Sequence, residues 1–269
     1  MVNWARVREL TDRVRRQVGM STLWRHEVDD WLRRALPGRC AFCLAACEPG
    51  RPWCADCHAA LPWNRAACPV CAEPLPASVI PRPCGHCLRR PPAYLRARVP
   101  LRYEGEVAGL MQRFKFHASP RAGTLLLTLL EEGLEEGMKE GVKKGQAGIA
   151  PPQALIAVPL HPRRARERGF DQGRWLAERL AARLEVPLIL ARRTKDTPSQ
   201  RGLGRRGRRG NLRGAFEMPQ ALPPRVALLD DVMTTGATLD ALARACRRAG
   251  AEEVEAWAIA RTPPGHGSA

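Results

Sequence analysis

The stretch VALLDDVMTTGATLDAL, residues 226–242, decides the fold of this chain. An apolar run ends in two adjacent aspartates, Asp230 and Asp231, and a turn rich in threonine and glycine leads directly into a helical pattern. A short apolar run of this kind is typical of a strand that is buried on both faces, as in a parallel sheet. Ligands of open parallel sheets bind beyond the carboxyl ends of the strands. The two carboxylates are therefore expected beside a ligand.

The turn after the acidic pair, the TTGAT loop (residues 234–238), has the chemistry of an anion site. Consecutive backbone N–H groups, small hydroxyl side chains and a helix N-terminus suit a phosphate group. The carboxylates accept hydrogen bonds from hydroxyl groups. A phosphate beside a diol, as in a ribose 5-phosphate, fits both features. The alternative is a solvated turn in which Asp230 only caps a backbone group.

The residues around this stretch predict an α/β fold. Strands are expected at 96–105, 154–160, 186–190, 225–231 and 254–260, and helices at 106–116, 173–184 and 238–250. Strands that alternate with crossover helices predict a parallel sheet covered by helices on both faces. A further helix over 124–146 is expected to fray into a surface linker near Pro151. Its glycines, which recur every fourth residue, are Gly133, Gly137, Gly141 and Gly145, and their stripe would let another backbone approach closely.

Eight of the ten cysteines form four Cys-x2-Cys pairs, which predict structural zinc. The pairs are Cys40 and Cys43, Cys54 and Cys57, Cys68 and Cys71, and Cys84 and Cys87. Two sites are expected, most simply the first two pairs and the last two, although a crossed pairing and substitution by Cys47, His58 or His86 stay open. Redox-active thiols are the competing interpretation, and four tandem pairs argue against it. Cys246 is expected to pack in the core.

The chain is strongly basic, with 44 Lys and Arg against 27 Asp and Glu and a net charge of +17. This balance favours nucleic acid or phosphorylated ligands as partners, although an arginine-rich coding bias would give the same charge. No run approaches the ~20 apolar residues of a membrane span. The charged N-terminus lacks the apolar core of a secretory signal. A cytoplasmic protein without an integral membrane segment is expected.

Two basic stretches follow predicted strands. VPLHPRRARERGFDQ (158–172) is expected to face the crevice of the acidic pair, where its arginines would bind pyrophosphate or a nucleic-acid backbone, unless they are merely solvated. Residues 192–213 hold nine basic residues and four glycines, and predict a mobile loop. That loop would serve either as a lid over a phosphorylated ligand or as a contact for single-stranded nucleic acid. Lys115 is expected either to touch a ligand phosphate or to lie on the surface.

The stretch 226–242 resembles the phosphoribosyl-diphosphate motif of type I phosphoribosyltransferases. The resemblance implies that Asp230 and Asp231 contact the ribose hydroxyls. It implies that the 5-phosphate is bound by Thr234, Thr235, Gly236, Ala237 and Thr238. Magnesium would bridge the pyrophosphate and the hydroxyls of the ligand. Transfer would pass through an oxocarbenium-like state as pyrophosphate leaves.

Over roughly residues 36–262 the chain resembles the ComF family of competence proteins, in the form that carries a zinc ribbon. The resemblance rests on the tandem Cys pairs, RYEG (102–105) with RFKF (113–116), the stretch 158–172, and the spacing of Gln200, Leu203, Arg208, Asn211, Ala215 and Phe216. The candidates for contact with pyrophosphate or nucleic acid are Lys115, Arg163, Arg164, Arg168, Gln172, Gln200, Arg208 and Asn211. One departure is Asp171, where the family commonly has asparagine. An added carboxylate weakens a pyrophosphate site there unless magnesium bridges it.

Residues 1–37 lie almost wholly outside this pattern, and their apolar spacing among many charges predicts a basic amphipathic helical extension. The resemblance implies a type I phosphoribosyltransferase-like, Rossmann-like domain at 93–264 and a double zinc ribbon at 38–92. It implies a competence factor that binds phosphoribosyl diphosphate and single-stranded DNA and supports DNA uptake in natural transformation. A DNA-uptake helicase and channel proteins are further candidate partners. The alternatives are an active phosphoribosyltransferase of nucleobase salvage and an inactive regulator that senses the ligand. The excess basic charge favours the competence factor, and the sequence leaves enzyme activity open.

Overall fold

The computed structural model describes residues 38–48, 50–76, 81–143, 150–160, 169–194 and 214–263. The chain divides into two compact units, Met1–Ala60 and Leu61–Ala269. The described part of the first unit holds a Cys-rich segment with one short helix, α1 (Ala55–Ala59). The predicted helical extension at 1–37 lies outside the described residues. The predicted domain boundaries stay predictions.

The second unit holds a Cys-rich segment followed by an α/β domain. Its described helices are α2 (Gly85–Arg89), α3 (Gly105–Phe116), α4 (Pro120–Lys143), α5 (Gln172–Leu184) and α6 (Ala237–Arg248). Its described strands are β1 (Arg96–Arg98), β2 (Leu101–Arg102), β3 (Ala154–Ala157), β4 (Leu188–Leu190), β5 (Arg192–Arg193), β6 (Phe216–Glu217), β7 (Arg225–Met233) and β8 (Glu253–Arg261). The predicted elements are found with shifted ends. The predicted strand 96–105 is two strands, β1 and β2.

One parallel sheet forms the centre of the α/β domain. Its strand order is β1-β8-β7-β3-β4, and β2 also pairs with β8. All of these pairings are parallel. The register of β7 against β8 sets Asp230 beside Ala258 and Met233 beside Arg261. The predicted Rossmann-like α/β fold behind a Cys-rich segment is thereby confirmed, and the carboxyl ends of β7 and β8 lie side by side.

Apolar residues bury both faces of the sheet. On one face, α6 packs its Leu239 and Leu242 against Val226 and Leu228 of β7. The alternate residues of β7 point to the opposite face because side chains of a strand alternate. These residues are also fully buried, and α4 and α5 pack on the sheet as well. Cys246 of α6 is fully buried in the same core, as predicted.

The glycines of α4 allow another chain segment to approach this helix closely. A Cβ atom at Gly133 would lie 2.1 Å from Cβ of Pro100, and one at Gly137 would lie 3.2 Å from Nη1 of Arg98. The predicted close approach is therefore found, and the segment between β1 and β2 makes it. The helix begins at Pro120, four residues before the predicted start, and Gly145 lies outside the described residues.

Strands β5 and β6 form a short antiparallel ribbon that the sequence did not predict. Arg192 pairs with Glu217, and Arg193 pairs with Phe216. The N–H group of Thr194 donates to the carbonyl of Ala215 at 3.0 Å. The basic stretch 195–213, which is the rest of the predicted loop 192–213, lies outside the described residues.

Candidate ligand site and metal centres

The acidic pair lies near the carboxyl end of β7, as predicted. Both side chains are half-buried, and the strand continues two residues beyond them to Met233. The N–H group of Asp231 donates to Oδ1 of Asp230 at 2.9 Å, and that of Val232 donates to Oδ1 of Asp231 at 2.6 Å. These hydrogen bonds fix the two carboxylates at the rim of the sheet, where a ligand can reach them.

Lys115 lies against the acidic pair. Its Nζ is 3.0 Å from Oδ2 of Asp231, and the two side chains are only 14% and 17% exposed. Lys115 comes from the last turn of α3, so this helix brings a cation to the end of β7. The sequence left two positions open for Lys115, beside a ligand phosphate or on the surface. In the structure its side chain lies against Asp231 and is largely buried. Its contact with a ligand stays a prediction.

The TTGAT loop connects β7 to the N-terminus of α6. Gly236 caps the helix with φ of +73°, a left-handed conformation that glycine adopts without strain. The N–H group of Ala237 donates to Oγ1 of Thr235 at 3.4 Å. The first N–H groups of a helix have no partner within the helix, and the helix dipole adds positive potential there. The loop therefore presents donors beside two carboxylates and an ammonium group.

Asp171 caps the N-terminus of α5. Its Oδ1 accepts a hydrogen bond from the N–H group of Arg174 at 3.0 Å. Asparagine caps helices about as well as aspartate, so the departure from the family pattern keeps this local role. The neighbouring candidate Gln172 is fully buried as the first residue of α5. A direct contact between Gln172 and a ligand would require the residues that cover the Gln172 side chain to move.

The other basic candidates are not placed by the structure. Those of the stretch 158–172 and of the basic stretch 195–213 lie outside the described residues; they are Arg163, Arg164, Arg168, Gln200, Arg208 and Asn211. They stay predictions. The structure thus brings together Asp230, Asp231, the TTGAT loop and Lys115, which come from two separate stretches, 226–242 and 113–116.

Three residues around the TTGAT loop were missed by the sequence analysis. Tyr94 is 4% exposed, and its hydroxyl lies 3.1 Å from the position of a Cβ atom at Gly236. Arg261 is 1% exposed, and its Nη1 donates to the carbonyl of Met233 at 2.9 Å. Asp240 accepts the N–H group of Ala93 at 2.7 Å. Only Arg261 had a signal in the sequence, as a charged residue at the end of the last apolar strand.

The eight paired cysteines form two clusters of four. The first centre holds Cys40, Cys43, Cys54 and Cys57, and the second centre holds Cys68, Cys71, Cys84 and Cys87. Within each centre the four sulfur atoms lie within 4.8 Å of one another. The simplest predicted pairing is confirmed, and Cys47, His58 and His86 are not members of these clusters. The first centre belongs to the first unit, and the second centre belongs to the second unit.

The geometry of both centres fits tetrahedral zinc. The sulfurs of Cys43 and Cys54 are 3.8 Å apart, and those of Cys71 and Cys84 are 3.7 Å apart. A zinc ion with Zn–S bonds of about 2.3 Å would set its sulfurs about 3.8 Å apart. Four thiolates fill the coordination sphere, so the metal would hold the chain together and would offer no open position for a substrate.

The thiols of the second centre shift one another's pKa values. A hydrogen bond from Cys71 lowers the pKa of Cys68 to about 4. The same hydrogen bond raises the pKa of Cys71 far above its usual range, and burial raises the pKa of Cys87 to about 12. Without a cation, one thiolate therefore opposes the ionisation of the others. A divalent metal removes this conflict because it stabilises all four thiolates together.

Comparison with known proteins gives the family of the chain. Residues 31–88 match the Double zinc ribbon domain. The chain is 33% identical to Competence protein F of Haemophilus influenzae over 184 residues, which are 66% of this chain and 78% of that protein. It is 33% identical to DNA utilization protein YhgH of Shigella flexneri over 232 residues, which are 84% of this chain and 98% of that protein. The chain belongs to the ComF family.

In this ComF protein the acidic pair and the TTGAT loop lie in the α/β domain that follows the double zinc ribbon match. Among solved structures, adenine phosphoribosyltransferase from Saccharomyces cerevisiae matches with a TM-score of 0.34 and 15% identity over 54% of this chain and 72% of that protein. That TM-score lies below 0.5, so the family assignment rests on the sequence relatives. No helix among the described residues has the length and apolar character to cross a membrane.

Proposed function

We propose that this ComF protein binds phosphoribosyl diphosphate at the carboxyl end of β7 and handles single-stranded DNA during DNA uptake. The observation that carries the first part is one strand end where two carboxylates, one lysine and the amino end of α6 meet. A ligand with both a diol and phosphate groups uses all of these groups at once. A simple phosphate would leave the two carboxylates facing an anion.

The ligand is oriented by the different chemistry of the two sides of the site. The 5-phosphate accepts hydrogen bonds from the N–H groups of the TTGAT loop, where the helix dipole favours negative charge. The ribose hydroxyls donate to Asp230 and Asp231, which already accept backbone N–H groups through one oxygen each. The sugar then lies across the end of β7, with its first carbon toward solvent.

Lys115 and magnesium would share the pyrophosphate. In the structure Lys115 neutralises Asp231, so a bound diol replaces the ammonium group there and Lys115 turns to a pyrophosphate oxygen. Oδ1 and Oδ2 of Asp231 both have partners already, so among the described residues Asp231 does not offer a free pair of oxygens to the metal. Magnesium is commonly held by one or two carboxylates together with substrate phosphates, and it would enter with the ligand.

Calorimetric titration with phosphoribosyl diphosphate and magnesium tests this site. Wild type should bind, and Asp230→Asn/Asp231→Asn should bind about a hundredfold more weakly, because two charged hydrogen-bond acceptors are lost. The matched control is Glu252→Gln/Glu253→Gln, which neutralises two adjacent exposed acids at the amino end of β8. Its affinity should equal that of wild type. Equal binding by all three proteins would refute the site.

Single-stranded DNA is the second part of the proposal. The sequence 192–213 carries nine basic residues, and Arg193 of β5 places its guanidinium carbon 5.5 Å from the ring centroid of Phe216 in β6. A net charge of +17 exceeds what one small ligand needs. The relatives named for competence and DNA utilization support the same role. The measurement is binding of a labelled single strand, and no binding at low salt would overturn this part.

The alternative function to be tested is that of an active phosphoribosyltransferase in nucleobase salvage. If the protein released pyrophosphate from phosphoribosyl diphosphate in the presence of a nucleobase, it would be an enzyme of that class. The proposed role predicts ligand binding without such turnover. The assay is a coupled pyrophosphate measurement against the common purine and pyrimidine bases.

A further inference from the structure

The second centre is joined to the TTGAT loop by a buried arginine. Nε of Arg261 donates to the carbonyl of Cys71 at 3.2 Å, and Nη1 donates to the carbonyl of Met233 at 2.9 Å. Nη2 lies 3.5 Å from Oε2 of Glu73, which balances the charge. Arg261 is only 1% exposed. One rigid side chain therefore touches a zinc ligand's backbone and the residue that precedes the loop.

The chain that leaves the second centre packs on the other side of the loop. Tyr94, seven residues after Cys87, is buried against Gly236, so its hydroxyl limits the space behind the loop. The N–H group of Ala93 donates to Oδ1 of Asp240 in the first turn of α6 at 2.7 Å. The carbonyl of Ala93 accepts a hydrogen bond from Nε of Arg247 at 2.6 Å. Arg247 lies in the last turn of α6, so Ala93 contacts both ends of this helix, while Tyr94 and Arg261 contact the TTGAT loop and the residue before it.

We propose that metal at the second centre holds the TTGAT loop in its binding conformation, with Arg261 as the positioning residue. The identity of the ligand rests on the function proposed above, but the coupling of metal to loop does not. Metal fixes the Cys71 turn, whose carbonyl is one of the acceptors of Arg261. When that turn loosens, the buried guanidinium loses a partner, and its hold on the carbonyl of Met233 weakens.

The coupling is reciprocal, because a ligand that favours the ordered loop also favours the metal-bound form. Wild type should carry two zinc ions. Phosphoribosyl diphosphate should slow the release of one of them to a chromophoric chelator, and it should leave the release of the other unchanged. The slowed ion should be the one that Cys84→Ser removes. Slowing of both ions or of neither would contradict the assignment.

The decisive comparison is Cys84→Ser at the second centre against Cys54→Ser at the first. Amide hydrogen exchange at residues 233–241 should be about tenfold faster in Cys84→Ser than in wild type, and unchanged in Cys54→Ser. This readout needs no ligand. Affinity for phosphoribosyl diphosphate should fall about tenfold in Cys84→Ser alone. Equal exchange in both variants would overturn the coupling, whereas absent ligand binding by wild type would overturn only the proposed function.

Arg261 itself is tested by variants of graded severity. Arg261→Met should accelerate exchange at residues 233–241 with zinc content kept at two ions. Its matched control is Arg98→Met, which removes another largely buried arginine, one that pairs with Glu255. If Arg261→Met does not fold because Glu73 loses its ion pair with Arg261, Arg261→Met/Glu73→Gln removes both charges and gives the same readout. Unchanged exchange in a folded Arg261 variant would refute the positioning role.

Discussion

At the residue scale, Gly236 is a position where a side chain would be strained and would force its neighbours to shift. Its φ of +73° is left-handed, and a Cβ atom there would lie 2.7 Å from Cε of Met233. Gly169 has nearly the same φ, +72°, and no described residue has an atom within 4 Å of a Cβ atom built there. A comparison of alanine variants at the two glycines therefore distinguishes the cost of a strained backbone from the cost of crowding.

Gly236→Ala should lower the free energy of unfolding more than Gly169→Ala does. The left-handed backbone alone costs an alanine about 1–2 kcal/mol, and crowding in a packed site adds roughly 1–3 kcal/mol. Urea unfolding of both variants with zinc present measures the difference. Equal losses would mean that the space behind the TTGAT loop is not filled as described.

Lys115 is the second residue whose role can be isolated. Lys115→Met should weaken the binding of phosphoribosyl diphosphate about tenfold, because a charged hydrogen-bond donor to the ligand is lost. Lys139→Met is the control, since Lys139 is an exposed lysine paired with Glu135 along α4. Calorimetric titration of both variants checks this. A Lys115 variant with wild-type affinity would show that the ion pair with Asp231 has no part in binding.

At the scale of elements, α4 and α3 provide glycines with opposite expected effects. Gly133→Ala should destabilise the protein by roughly 1–3 kcal/mol, because the new methyl group would overlap Pro100. A Cβ atom at Gly109 in α3 meets no atom of the described residues within 4 Å, so Gly109→Ala should stabilise the protein by about 0.5–1 kcal/mol. Thermal unfolding of the two variants measures whether each substitution lowers or raises the stability of the protein. Stabilisation by Gly133→Ala would contradict the close packing of α4.

The elements were largely predictable because their signals are local. The apolar run before Asp230 predicted β7, and the Cys-x2-Cys spacing predicted two four-sulfur sets, with the observed pairing as the simplest of the alternatives. The position of Lys115 beside Asp231 was not predictable, since it depends on how α3 packs beside the sheet. The contact of Arg261 with Cys71 joins residues 190 positions apart, and no periodicity in the sequence carries such information. The ribbon β5–β6 was missed because its strands have two residues each.

At the scale of the whole molecule, the net charge of +17 predicts a steep salt dependence of DNA binding. For single strands the slope of log affinity against log salt is about −0.7 for each phosphate neutralised. Changing Arg205, Arg206, Arg208 and Arg209 to glutamine should therefore reduce the slope by about three. The same four changes to lysine keep the charge and should leave the slope unchanged. Fluorescence anisotropy of a labelled strand across sodium chloride concentrations gives both slopes.

The crystal structure of the complex with phosphoribosyl diphosphate and magnesium would test the central claim most directly. The account predicts the 5-phosphate on the N–H groups of the TTGAT loop and the ribose hydroxyls on Asp230 and Asp231. It also predicts Lys115 at a pyrophosphate oxygen. A ligand bound elsewhere, with Lys115 still paired to Asp231 and the loop free of phosphate, would contradict it.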